Sequence, residues 1–264
     1  MKKNWKALVA IAAVVIIVAV AVVIINMRPA GQAARREPGA DSSIVAGKFG
    51  FPVSKINIGE GGTKKASDGK TITGYNGTCD SAVQAAANYA PLLSEVNLKS
   101  WAEQKKTLTE VSIPGPWFEK VTFRGDLMTT TKDLPAGAFD GGWISRSDVA
   151  AGGMYRVASC EEKKRAVVQV FIGSLNAQVK TGPAGGFGTV PMELSWDGDW
   201  KITDASQSAD DPDFGGRAKD KGPSVGAPGE PTGDFLVLNQ NLVNSVFSST
   251  SRAGWVEYAN AKRK

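Results

Sequence analysis

"VPMELSWDGDWKI", residues 190–202, alternates apolar and polar side chains as far as Trp196, turns at Asp197-Gly198 and returns with a second tryptophan. Val190, Met192, Leu194 and Trp196 share one face of a strand. A two-residue loop at Asp197-Gly198 would pair Trp196 with Asp199. That register turns Lys201 toward the apolar face and Trp200 and Ile202 away from it. A three-residue loop, residues 197–199, pairs Trp196 with Trp200 and gathers every apolar residue on one side. The odd-length loop, with a bulge to accommodate it, is therefore expected. Trp196, Asp197, Gly198 and Trp200 read as a structural hairpin that closes a fold.

Two further strands precede it. "MYRVASC" (154–160) alternates, and "RAVVQVFIGSL" (165–175) carries β-branched residues on both faces, as in a strand covered on both sides. Upstream, "TCDSAVQAAANYAPLLSEV" (78–96) reads as a helix. Thr78 or Asp80 caps it, and Val83, Ala86, Ala87, Ala90 and Leu93 mark one face. Pro91 lies inside that run, so a kink or break is expected there. "LKSWAEQKKTLTEV" (98–111) is a second amphipathic piece, with Leu98, Trp101, Ala102 and Leu108 on one face, and "SIPGPW" ends it. The sparse stretch that follows is expected to hold a strand near residues 121–124.

The outer segments differ in composition. Residues 7–25, "ALVAIAAVVIIVAVAVVII", contain no polar side chain. At 1.5 Å per residue this run is roughly 28 Å long, close to the hydrocarbon thickness of a bilayer. It exceeds the usual apolar core of a signal peptide. An uncleaved transmembrane helix is expected, with residues 1–6 as a cytoplasmic flank and the rest of the chain outside the cytoplasm. Residues 26–54 read as a tether. Residues 55–205 form the folded domain, residues 206–234 a flexible Gly/Pro/Asp-rich segment, and residues 235–264 an amphipathic segment. Within that last part Phe235, Leu238, Leu242 and Val246 fit a helical face. With Trp255 they are candidates for a partner contact. Its final "AKRK" reads as a solvated basic cluster.

Composition excludes several chemistries. There is no histidine among the 264 residues. A Ser-His-Asp triad, a His-containing zinc site and a His general base are therefore ruled out. Six of the 31 Lys and Arg lie within the first 36 residues, where no Asp or Glu occurs. The remainder is nearly neutral, which argues against a nucleic-acid surface. The only two cysteines, Cys79 and Cys160, suit one disulfide in an oxidising compartment. "TGPAGGFGT" (181–189) lacks the Lys-Ser/Thr ending of a P-loop. Asp204, Asp210, Asp211 and Asp213 lack the spacing of a calcium loop. No catalytic residue, metal or cofactor is expected.

The order of helix, helix and long antiparallel strands ending in "WDGDWKI" resembles the nuclear transport factor 2-like fold over about residues 71–203. The resemblance implies an α+β architecture, with a curved antiparallel sheet wrapped on one or two helices behind an N-terminal transmembrane helix. "GYNGTCDSAVQAAANYA" (74–90) and "GWVEYANA" (254–261), behind a single span, look similar to TcpC-type assembly proteins of conjugative type IV secretion systems of Gram-positive mobile elements. Those proteins carry more than one domain of this fold, whereas this chain shows one. The resemblance implies a non-enzymatic scaffold. The partners it implies are the membrane and other membrane or secretion-complex proteins, a second copy of the chain among them. The Mce-associated accessory proteins of membrane transport complexes share the same layout. A cone domain that binds or converts a small molecule is the third alternative. A polar pair lining the cone would favour the third, and a filling of Val, Leu and Trp the scaffold.

Overall fold

The computed structural model describes residues 45–95, 100–130, 144–178, 182–206, 222–224 and 234–264. The expected transmembrane run, residues 7–25, and nearly all of the segment 206–234 lie outside the described residues. No helix among the described residues is long and apolar enough to cross a membrane.

The fold is α+β. The first half of the domain supplies four short strands, β1 (Val45–Ala46), β2 (Pro52–Val53), β3 (Lys64–Lys65) and β4 (Ile72–Thr73). Three helices follow, α1 (Cys79–Ser94), α2 (Trp101–Val111) and α3 (Pro116–Thr130). The second half runs β5 (Ile144–Asp148), α4 (Val149–Gly152), β6 (Met154–Glu161), β7 (Arg165–Gln178), β8 (Gly182–Trp196), β9 (Trp200–Ala205), α5 (Gln240–Val246) and β10 (Trp255–Glu257). The main sheet has the order β1-β2-β10-β6-β7-β8-β9, and β5 pairs with the far end of β7. β3 and β4 form a separate two-stranded hairpin.

α1 starts where its sequence says it should. The Thr78 hydroxyl accepts the Ser81 N–H at 3.2 Å and supplies the cap. Ala82, Ala85, Ala86, Ala87 and Ala90 are all buried. Methyl side chains let the helix lie close to the sheet. The helix runs through Pro91 to Ser94 without a break, and the Pro91 carbonyl accepts the Glu95 N–H at 2.9 Å. Pro91 lacks the N–H that would bond the Ala87 carbonyl, but it falls in the last turn, where only three helical residues follow it.

The strand expected at residues 121–124 is instead the middle of α3. Pro116 and Glu119 occupy its first turn, where a fixed φ and a negative charge favour a helix start. Val121 and Thr122 misled because both are β-branched. They are buried on the inner side of the helix, away from solvent. Gly125 permits the packing of α3 on α2. A Cβ placed there would come within 2.0 Å of the Trp101 ring.

β7 is covered on both faces. Val168, Val170 and Ile172 join Val190, Met192 and Leu194 of β8 in a core against α1. Phe171 points the other way and joins Met154, Phe187, Val243, Phe247 and Trp255 in a second core. The glycine-rich start of β8 is strand, not loop, and pairs residue by residue with the end of β7, Leu175 opposite Gly185.

The expected domain limits of residues 55 and 205 are too narrow. Residues 40–264 form one compact unit. β2, assigned to the tether, pairs parallel with β10, and β10 pairs antiparallel with β6. Of the cluster Lys262-Arg263-Lys264, Lys262 and Lys264 are exposed, whereas Arg263 is built into the fold. Arg263 Nε donates to Glu257 Oε2 at 2.8 Å, with side chains only 11% and 4% exposed. Arg263 also donates to the Gly153 carbonyl, and Lys262 pairs with Asp148 at 2.6 Å. The solvated reading fails at Arg263 because its partners, Gly153 and Glu257, are supplied by tertiary contact.

Removing Arg263 strands a buried carboxylate. Arg263→Ala is expected to cost about 3–5 kcal/mol in urea unfolding, and the double variant E257Q/R263Q to recover a large part of it. Equal losses for the single and double variants would show that the pair is not the source.

Candidate functional site

Four of the residues singled out in the sequence meet at one place. β8 and β9 pair with Trp196 opposite Trp200, so the loop is residues 197–199. Asp197 N–H donates to the Asp199 carbonyl at 2.9 Å, and Gly198 takes φ +69°, a left-handed conformation that costs glycine little. The register set by this loop puts Trp200 and Ile202 opposite Trp196 and Leu194, and a shift beyond them, between Glu193 and Leu194, brings Ala205 opposite Met192.

Trp200 is fully buried and sits on the first turn of α1. Its Nε1–H donates to Ser81 Oγ at 3.0 Å and lies 3.3 Å from the Thr78 carbonyl. Tyr89, two turns further along the helix, donates its hydroxyl to the Trp200 carbonyl at 3.0 Å. The Trp196 ring meets Trp200 edge-on, with centroids 5.4 Å apart. Trp196 also covers Gly77, where a Cβ would come within 3.2 Å of the indole.

Asp199 is a key residue that sequence reasoning missed. Its carboxylate accepts the N–H groups of Gly74 at 2.6 Å, Tyr75 at 2.9 Å and Trp200 at 2.8 Å. It thereby ties the hairpin loop to the strand leading into α1. In the sequence it is one more aspartate in an Asp-Gly-Asp turn, with nothing to mark a partner 125 residues away.

The disulfide lies beside this junction. Cys79, the first residue of α1, is joined to Cys160 near the end of β6, with Cα atoms 5.9 Å apart. The tip of the β6–β7 hairpin is held there too. Lys163 N–H donates to the Gly77 carbonyl at 2.8 Å, and Trp196 N–H to the Lys164 carbonyl at 2.9 Å. No thiol remains for nucleophilic chemistry, since both cysteines are in the bridge.

The titratable groups here are held in one state. Burial pushes the Tyr89 phenol far up, and the Asp199 charge adds to it. Tyr75 is raised by burial, against a hydrogen bond from Asn88. Both stay protonated through neutral pH and serve as hydrogen-bond donors. On the far side of α1, Tyr155 is pushed up to about 12 by burial. Among the described residues no group of three or more His, Cys, Asp or Glu could hold a metal ion. The core between α1 and the sheet includes Val168, Val170, Val190, Met192, Leu194 and Ile202, together with the rings of Tyr155 and Tyr258.

The residues expected at a partner contact fall elsewhere. Leu238, Val246 and Trp255 are buried in the second core, on the outer face of the sheet, and are corrected from contact surface to core. Phe235 and Leu242 are half-buried, and Leu242 packs against that core. The helical face drawn through 235, 238, 242 and 246 is also too long. α5 spans only Gln240–Val246, capped by Asn239, whose side chain accepts the Leu242 N–H at 3.0 Å. The physical reason is that Phe171 and Phe187 leave the outer sheet face apolar, and this segment covers it.

Trp200→Ala should lower stability by about 3–5 kcal/mol, read by urea unfolding, because it leaves a large cavity and removes the indole hydrogen bond to Ser81. Reducing the Cys79–Cys160 bridge, which spans 81 residues, should cost about 4.5 kcal/mol in the chain-entropy model. A Trp200→Ala protein of unchanged stability would contradict the packing described.

No family model, curated protein or solved structure matches this chain.

Proposed function

We propose that this protein is a non-enzymatic, membrane-anchored assembly component of the kind that serves conjugative, type IV secretion-like transfer complexes. The observation that carries the reading is the filling of the space between α1 and the sheet. Valine, leucine, methionine and tryptophan side chains make up most of it, and the hydroxyls of Tyr89 and Ser81 are bonded within the fold. A helix laid on long antiparallel hairpins that end in paired tryptophans is consistent with the nuclear transport factor 2-like resemblance. In that fold a polar cone interior suits small-molecule chemistry, and a packed one suits a rigid block that presents surfaces.

The anchor supports the same reading. The apolar run at residues 7–25 would confine the domain to the plane of a bilayer. Confinement raises effective concentration, so individually weak contacts between subunits suffice. The disulfide favours an oxidising compartment, which supports a domain outside the cytoplasm.

Deleting the gene from a conjugative host is expected to lower transfer frequency by at least tenfold. The full chain should restore it, and a chain lacking residues 7–25 should not. Transfer unaffected by the deletion overturns the assignment to a transfer complex. Full rescue by the chain without residues 7–25 overturns the anchor.

A further inference from the structure

α3 presents the two large apolar side chains that stand furthest out of the described fold. Phe123 is 66% exposed and Leu127 is 47% exposed. Four residues apart, they form one stripe along the helix. The opposite side of α3 is committed to the domain. Val121 and Thr122 are buried, Gly125 lies against Trp101, and Trp117 Nε1–H donates to the Ala205 carbonyl at 2.8 Å.

Charge is distributed unevenly around the stripe. Asp126 is drawn toward α2, where Lys105 pairs with it at 2.6 Å and the Trp101 indole N–H donates to it at 2.9 Å. Lys120 and Arg124 are exposed on one flank of Phe123, and Glu119 on the other. We propose that the exposed face of α3 is a docking surface for the anionic headgroup region of the bilayer, with Phe123 and Leu127 entering the acyl boundary.

Three considerations favour a bilayer as the occupant. Two side chains expose far too little area for a stable protein interface, which buries about 800 Å² on each partner. A domain already tethered to a membrane needs only a weak second contact to hold its orientation. Phenylalanine and leucine beside lysine and arginine also match interfacial helices, whose cations seek lipid phosphates while the apolar groups dip below them. The chain is long enough for this. Residues 26–44 can extend about 60 Å, whereas six strand spacings, from β1 to β9, amount to about 29 Å.

The inference rests on the reading of residues 7–25 as an anchor, and the test separates the two. The full chain is reconstituted in phosphatidylcholine vesicles containing phosphatidylglycerol and a phospholipid with a diazirine on its acyl chain. After irradiation, lipid adducts are mapped by peptide mass spectrometry. Adducts are expected on residues 7–25 and on α3 at Phe123 and Leu127. Phe123→Glu should reduce the α3 adducts at least tenfold and leave those on residues 7–25 unchanged, with an unaltered near-ultraviolet circular dichroism spectrum. K120E/R124E should reduce them severalfold, and omitting phosphatidylglycerol should do the same to the unsubstituted chain. Adducts on residues 7–25 with none on α3 overturn this proposal and leave the anchor standing. Adducts at neither place overturn the anchor as well. Cross-linking of α3 to α3 of a second copy in the same vesicles, in place of lipid adducts, also overturns it.

Discussion

The completely buried indole of Trp200 donates its N–H to an acceptor on a distant segment, and much of the structure is arranged around that bond. Its acceptor is Ser81, in the first turn of α1. That bond requires the β8–β9 hairpin and the start of the helix to be in place together. Tyr89 then bonds back to the Trp200 carbonyl, so the helix is held at two points along its length. Asp199 adds three backbone N–H groups to the same junction, and the Cys79–Cys160 bridge brings in β6. Four segments far apart in the chain are fixed by one cluster of polar contacts around an apolar ring.

From that junction, at the β9 edge, the sheet extends across to β1. α1 closes one face through its alanines, and residues from Leu238 to Trp255 close the other. A sheet covered on both faces leaves its edges as the remaining weakness. The β9 edge is shielded by the connection between α2 and α3, where Ile113 N–H donates to the Ile202 carbonyl at 2.9 Å.

The second core has a consequence for assembly of the fold itself. β10 lies between β2 and β6, so segments from near both ends of the described domain sit side by side in the sheet. Arg263 and Glu257 seal this join with a buried ion pair, and Arg263 loses part of its basicity through burial, against the support of Glu257. Such long-range pairing is entropically costly to form and strongly cooperative once formed. The second core therefore depends on residues beyond 235 as much as on the central strands.

Local patterns in the sequence were sufficient for the α+β class, the cap and face of α1, the strands β6 to β9, the odd-length loop between Trp196 and Trp200, and the pairing of the two cysteines. Each rests on a short-range rule: a period of two or 3.6, a capping hydroxyl, a register that keeps apolar residues together, or the presence of only two thiols. Tertiary structure alone decided the rest. α3 looked like a strand because Val121 and Thr122 are β-branched, yet a helix places them against α2 and β9. Leu238, Val246 and Trp255 looked like a contact surface because nothing local shows that Phe171 and Phe187 leave a sheet face to be covered. Asp199 and Arg263 carried no local mark of their roles because Gly74 and Gly153, among the groups that bind them, lie more than a hundred residues away. A charge or an apolar face carries no mark of its partner in one dimension, and only folding brings the two within bonding distance.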